Sequence, residues 1–174
     1  SGGPGTGKTT MVQAFIKQLR ASTPCYKVSF TAPTNNAVKV LERKVSKWSL
    51  SVECLTCASL LGLKPSIDYK TGKEVFEPDS DLKSVISDYD LVVVDESSMV
   101  SSDLFKYLIA EVRFDLRILF MCDPRQLPPV GEDLSRAFLE VSDSYHLTES
   151  KRFGNEIGAV VSMVASNLSF KGEP

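Results

Sequence analysis

Apolar positions along the chain follow two periods. Val12, Phe15, Ile16 and Leu19 stand at i, i+3, i+4 and i+7, which places them on one face of a helix. Helical spacing recurs in Val38, Leu41, Val45 and Trp48, in Leu104, Leu108 and Val112, and in Ile157, Val160, Val161 and Val164. Between these segments lie short runs rich in β-branched and aromatic residues: Tyr26 to Ala32, Leu91 to Glu96, Arg117 to Asp123, and a shorter one near Tyr145 to Leu147. Strand alternating with helix predicts an α/β fold, a mostly parallel sheet with helices on both faces and its ligand at the carboxyl ends of the strands.

The alternation breaks at 63–90. Ile67 and Tyr69 precede, and Val75 follows, a Lys-Thr-Gly-Lys centre with Gly72 at its turn, which predicts a small β-hairpin inserted into the domain. Such an insertion is either a protruding finger with a task or a decorated surface loop.

A chain of 174 residues, 43% of them hydrophobic, suits one compact domain with a real core. The formal net charge of −2 gives no global basic field, so nucleic-acid binding has to come from a local groove. No run of about 18 apolar residues and no targeting pattern is present, so a soluble, cytoplasmic protein (host cytoplasm for a viral source) without a membrane partner is expected. Four cysteines are too few for a disulfide framework and read as reduced thiols. Cys54 and Cys57 form a C-x-x-C, but with no second pair nearby and His146 as the sole histidine, structural cysteines fit better than a zinc site.

Chemistry enters at the first residues. SGGPGTGKTTMVQAF sets Gly2, Gly7, Lys8 and Thr9 in the order G-x-x-x-x-G-K-[ST], directly before the first predicted helix. The stretch Gly3, Pro4, Gly5, Thr6, Gly7, Lys8, Thr9 and Thr10 is expected to hold a nucleotide, because glycines let backbone N–H groups converge on β- and γ-phosphates and the helix N-terminus favours the anion. Lys8 neutralises phosphate charge there, and the Thr9 hydroxyl binds Mg²⁺. A loop of this kind normally follows a central strand, so a strand is expected ahead of Ser1.

Four apolar residues, Leu91 to Val94, then deliver Asp95 and Glu96 to a strand end. Asp95 is placed to hold Mg²⁺ through water, and Glu96 to orient and polarise the attacking water as general base. In MCDPRQLPPV, a second apolar strand ends at Asp123 and presents Gln126 ahead of two stiffening prolines, which puts an amide in reach of the γ-phosphate or its water. LTESKRF sets Lys151 and Arg152 before the last predicted helix, and the planar fork of an arginine suits phosphate oxygens.

Taken in order, GGPGTGKTT, TAPTNNAVKVL, VVVDESSMV, DPRQLPPV and LTESKRF resemble motifs I, Ia, II, III and IV of superfamily 1 helicases, closest to the RecD-like and Dda-like DNA helicases of the 1B branch. The resemblance spans Gly2 to Phe153 and implies the first RecA-like motor domain, with Gln126 and Arg152 contacting the γ-phosphate. It also implies that motif Ia lies along single-stranded DNA, with Pro33, Thr34 and Asn35 on the backbone; short polar groups suit phosphate contact without reading sequence. TCASLL is similar to motif Ib and implies the same for Thr56 and Ser59, although Ala58 stands where the family usually has histidine. Cys122 stands where motif III often has glycine. Relatives insert a strand-splitting hairpin between motifs Ib and II, the slot of the hairpin predicted here, and there Tyr69 or Phe76 would stack on a base at the fork.

Motifs V and VI, which the family carries on a second RecA-like domain with a trans-acting arginine, have no counterpart in the sequence. The resemblance therefore implies an N-terminal motor domain of an ATP-dependent 5′-to-3′ DNA helicase, a monomeric fragment that binds Mg-ATP weakly and hydrolyses it slowly without its partner domain. Another P-loop ATPase, such as an oligomeric remodelling protein, and a catalytically silent ATP-gated DNA-binding module are the competing readings. RNA in place of DNA stays open, since backbone contacts discriminate poorly.

Overall fold

The computed structural model describes residues 1–3, 5–48, 51–69, 74–123, 125–141 and 143–147. Its centre is a four-stranded parallel sheet in the order β2-β1-β5-β6. Here β1 is Val28–Ala32, β2 is Glu53–Thr56, β5 is Leu91–Val94 and β6 is Arg117–Phe120. Every residue of β1 and β5 is buried, as expected for strands covered on both faces.

The pleat sorts the strand residues into two cores. Leu91 and Val93 join Val28, Phe30 and Ala32 against helices α1 (Lys8–Ser22) and α2 (Asn35–Val45). Val92 and Val94 face the opposite layer, built from α3 (Cys57–Leu61), α4 (Ser102–Ala110) and α5 (Arg136–Glu140). Helices on both faces of a parallel sheet are what the alternating pattern predicts.

Helix periodicity holds for Val12 and Ile16, which are buried, whereas Phe15 is 48% exposed at the margin of that face. Two predicted helices stop early. Trp48 lies beyond the end of α2 and reaches the core from a turn, its ring edge-on to Phe30 at 5.4 Å and 71°. Val112 lies beyond α4 and is exposed, because the chain turns after Ala110 to enter β6. The helix predicted around Ile157 to Val164 lies outside the described residues. β2, α3 and α5 are not predicted by periodicity, since four or five residues give too short a window. No helix among the described residues is long and apolar enough to cross a membrane.

Beyond β6 the sheet is extended by short pieces of chain. The Gly2 N–H donates to the Cys122 carbonyl at 3.1 Å, and Leu147 donates back to Ser1 at 2.9 Å in an isolated parallel bridge. The run near Tyr145 to Leu147 is thus a single bridge rather than a strand, and it ties the start of the glycine-rich loop to the sheet edge.

The inserted hairpin is present: β3 (Leu63–Ile67) pairs antiparallel with β4 (Glu74–Pro78), Leu63 opposite Pro78 and Ile67 opposite Glu74. Its predicted turn at Gly72 lies outside the described residues. The base is anchored at Gly62, whose φ of +64° is left-handed and whose Cα faces the backbone of Lys83 and Ser84, 2.8 Å from where a Cβ would stand. Gly62→Ala combines backbone strain with a backbone clash, and is expected to destabilise the fold by about 2 kcal/mol or more, read from urea unfolding.

The C-x-x-C pair is divided between elements. Cys57 is fully buried in α3 and its thiol points to Thr31 Oγ1 at 3.6 Å, with burial pushing its pKa up to about 12. Cys54 on β2 is raised to about 11, by burial first and then by Glu42 and Glu53. Both thiols are therefore protonated at neutral pH, and Cys57 is a packing residue.

Candidate functional site

The glycine-rich loop closes on itself. Thr6 Oγ1 donates to the Gly3 carbonyl at 2.9 Å, and Lys8 Nζ donates to the same carbonyl at 3.0 Å and to that of Gly2. Gly7 has a φ of +85°, and a Cβ there would meet no atom within 4 Å, so the inner side of the loop is open space. α1 starts at the next residue with no side-chain cap and no acid in its first turn. Its first N–H groups thus lack side-chain partners, the arrangement that suits an anion. Half-buried Lys8 is held below its ordinary pKa by burial, opposed first by Asp123 and then by Asp95.

Facing the loop is the end of β5. Asp95 extends the ladder, its N–H donating to Thr31 at 2.8 Å, and the largely buried carboxylate accepts the Glu96 N–H on Oδ1 at 3.0 Å. Glu96 adopts a left-handed φ of +52°, which ends the strand. Strain of this kind at a non-glycine residue costs about 1–3 kcal/mol and is retained where the surroundings hold it. Those surroundings include Ser97, donating from its backbone to Met121 at 3.2 Å, and Ser135 at the start of α5, whose hydroxyl donates to Ser97 and Val100 carbonyls at 3.0 and 2.9 Å.

The third wall comes from the turn after β6. Asp123 Oδ1 accepts the Arg125 N–H at 3.1 Å, and its carbonyl accepts the Gln126 N–H at 3.1 Å. This tight turn brings Gln126 to Ser98, whose hydroxyl donates to Oε1 at 2.9 Å and leaves the amide nitrogen available. Cys122 is buried, with Ser97 Oγ 2.8 Å from its sulfur, so a side chain is accommodated where the family often has glycine.

These walls enclose one cleft of about 460 Å³. Gly5, Thr6, Gly7, Lys8, Thr9 and Thr10 form one side, and Asp95, Glu96, Asp123 and Gln126 the other. The four side chains on which the sequence reading turns, Lys8, Asp95, Glu96 and Gln126, surround a common space. Gly3 lies at the loop entrance, an ideal Cβ there being 3.1 Å from an Arg125 guanidinium nitrogen, and Pro4 and Arg152 lie outside the described residues. Among the described residues no group of three or more His, Cys, Asp or Glu is arranged to hold a metal by itself. A cation here would depend on Thr9, Asp95, water and phosphate oxygens, the donor set that suits Mg²⁺.

Sequence reasoning missed Lys44, which lines the cleft, and Ser98, which holds Gln126 in it. Lys44 enters from the last turn of α2, its Nζ 3.9 Å from Asp95 Oδ2, and no motif spacing points to it. Ser98 stands three residues after Asp95, and its proximity to the acid pair was the available signal.

The residues expected along a nucleic-acid strand gather at the same sheet edge. Pro33, Thr34 and Asn35 follow β1, while Thr56 ends β2, in register with Ala32, and Ser59 comes after it. Thr34 caps α2 by accepting the Ala37 N–H at 3.2 Å. Thr56 caps α3 by accepting the Ser59 N–H at 3.0 Å and donates to the Ser59 hydroxyl at 2.7 Å. Both threonine hydroxyls thus have structural work, while Asn35 and Ser59 are exposed. Ala58 packs against the core. On the hairpin, Tyr69 is 99% exposed, whereas Phe76 is half-buried against the core and anchors the hairpin.

Residues 1–167 match the family model described as AAA domain. The chain is 32% identical to the RecBCD enzyme subunit RecD of Mycolicibacterium smegmatis over 94% of this chain and 32% of that protein. It is also 32% identical to the ATP-dependent RecD2 DNA helicase of Deinococcus radiodurans, over 87% of this chain and 19% of that protein, and to an uncharacterized protein of Acanthamoeba polyphaga mimivirus over 81% and 31%. The chain spans about a third of the first of these relatives. Among solved structures, Pif1 helicase from Bacteroides in complex with ADP-AlF3 and ssDNA aligns with a TM-score of 0.61 at 18% identity, over 96% of this chain and 42% of that one. The shared fold is the RecA-like one that the motif order implies, and the RecD relatives uphold the resemblance to the 1B branch.

Proposed function

The chain belongs to the AAA domain family, and on that premise we propose that it is the motor domain of an ATP-dependent DNA helicase of superfamily 1B. The observation that carries the proposal is the convergence of Lys8, Asp95, Glu96 and Gln126 on one cleft beside a glycine-rich loop. Relatives named as RecD and RecD2 helicase proteins, and a Pif1 structure described with a nucleotide analogue and single-stranded DNA, support the same reading.

In this reading the loop amides and Lys8 bind the β- and γ-phosphates of ATP, and Thr9 with Asp95 hold Mg²⁺. The metal, when bound, neutralises charge that develops on the phosphate oxygens. Glu96 orients the attacking water and accepts its proton, and its left-handed backbone aims the carboxylate into the cleft rather than along the strand. Gln126, held through Oε1 by Ser98, offers its amide N–H to the terminal phosphate. Asn35 and Ser59, with the loop amides after β1 and β2, contact a single-stranded DNA backbone. The proposal extends to 5′-to-3′ polarity, to Arg152 as a further γ-phosphate contact, and to a second RecA-like domain closing on this one.

Single-stranded DNA should stimulate phosphate release by the protein that carries both domains, and the 174 residues alone should turn over slowly. A protein that neither binds Mg-ATP nor responds to DNA overturns the proposal.

The hairpin is proposed as the element that meets the duplex, with Tyr69 rather than Phe76 as the stacking residue because only Tyr69 is free of the core. Tyr69→Ala is expected to weaken forked-DNA binding by roughly 5- to 100-fold, the range for one lost base stack, with DNA-independent ATP hydrolysis unchanged. Fork binding by anisotropy, run beside a phosphate-release assay, checks it.

A further inference from the structure

Lys44 has no place in the motif set, yet the fold delivers it to the cleft. Asp95 uses Oδ1 to accept the Glu96 N–H, and its Oδ2 lies 3.9 Å from Lys44 Nζ. That is the oxygen left to meet a cation. The Asp95 side chain is 12% exposed and that of Lys44 40%, so an anchored acid faces a more solvated base. Lys44 also lines a neighbouring groove of about 560 Å³ with Thr9, Thr10, Arg43 and Lys47, so its ammonium has room to swing away from Asp95 without leaving the surface. The cleft itself is lined by two lysines, Lys8 and Lys44, against three carboxylates, Asp95, Glu96 and Asp123. An anionic triphosphate entering such a site needs both cations.

We propose that Lys44 is a positioning residue for the metal and the nucleotide: it is the counter-charge of Asp95 while no metal is bound, and it yields that carboxylate to the cation as its ammonium turns to the phosphates. The proposal rests on the nucleotide reading of the cleft. A divalent ion held at Asp95 Oδ2, directly or through water, and an ammonium 3.9 Å from the same oxygen repel each other, so each weakens the hold of that carboxylate on the other. Lys44 therefore opposes binding of a free divalent ion and favours binding of an anion, two effects of opposite sign from one side chain. It keeps the metal site closed to stray cations until phosphate arrives.

The test uses two probes on the intact protein, Mn²⁺ alone followed by electron paramagnetic resonance and a fluorescent ADP analogue titrated in EDTA. Lys44→Gln is expected to tighten Mn²⁺ binding about two- to fivefold and to weaken metal-free nucleotide binding by about the same factor, the size of a partly exposed ion pair. Lys44→Arg, which keeps the charge, should stay close to wild type in both. In an Asp95→Asn background Lys44→Gln should no longer alter Mn²⁺ binding. A merely structural role would weaken both ligands together, and that result, or no change in either, overturns the inference. Wild-type protein that takes up neither probe overturns the reading of the cleft itself.

Discussion

Replacing Glu96 with glutamine should lower ATP hydrolysis by about 10²- to 10⁴-fold while nucleotide affinity stays within a few-fold of wild type. The size follows from the role. A positioned general base contributes about that factor, and glutamine keeps the shape and one hydrogen-bonding oxygen but cannot accept the proton. Binding is spared because Glu96 holds neither the phosphates nor the metal in this arrangement; those tasks fall to the loop, Thr9 and Asp95. The fold should also be spared, since the left-handed backbone at Glu96 is held by the Asp95 carboxylate and by Ser97 rather than by the Glu96 side chain. Single-turnover phosphate release read beside fluorescent-nucleotide titration separates the alternatives: nucleotide binding with no phosphate release in wild type and variant alike would support a silent, ATP-gated binding module.

Lys8→Ala is expected to have the opposite profile, with Mg-nucleotide affinity falling about 10- to 100-fold. Charge-assisted hydrogen bonds contribute about 1.5–3 kcal/mol each, and about 1.4 kcal/mol is a factor of ten. Two effects add. The ammonium that meets phosphate charge is lost, and so are its bonds to the Gly2 and Gly3 carbonyls, which help to hold the loop closed before a ligand arrives. Lys8→Arg is expected to rescue poorly, because a planar fork does not fit a slot shaped for a compact ammonium. α1 should survive, since Val12 and Ile16 keep it on the sheet, so a thermal midpoint close to wild type accompanies the lost affinity. Retention of full affinity in Lys8→Ala would remove the loop from the nucleotide site.

Much of the site was legible because its parts are local. The glycine-lysine-threonine loop works over eight consecutive residues, and the acids of the second motif appear wherever a buried apolar strand runs into a charged end. Gln126 was legible for a related reason, as a polar residue delivered by a strand and braced by prolines. The hairpin was legible from alternation and a glycine turn, but the roles of its aromatics were not. Tyr69 and Phe76 look equivalent in the sequence, and only packing separates one exposed ring from one that anchors the hairpin.

By itself the sequence determined the two periodicities, hence the α/β layering, and the short motifs whose chemistry is complete within a few residues of backbone. Tertiary structure decided what depends on distant segments meeting. It set the strand order β2-β1-β5-β6, which places the acids of β5 beside the turn after β6. It brought Ser98 to Gln126 across 28 positions and Lys44 to Asp95 across the cleft. Periodicity reports which face of an element is apolar, and carries no record of which element covers that face or which side chain its neighbour will extend into the gap.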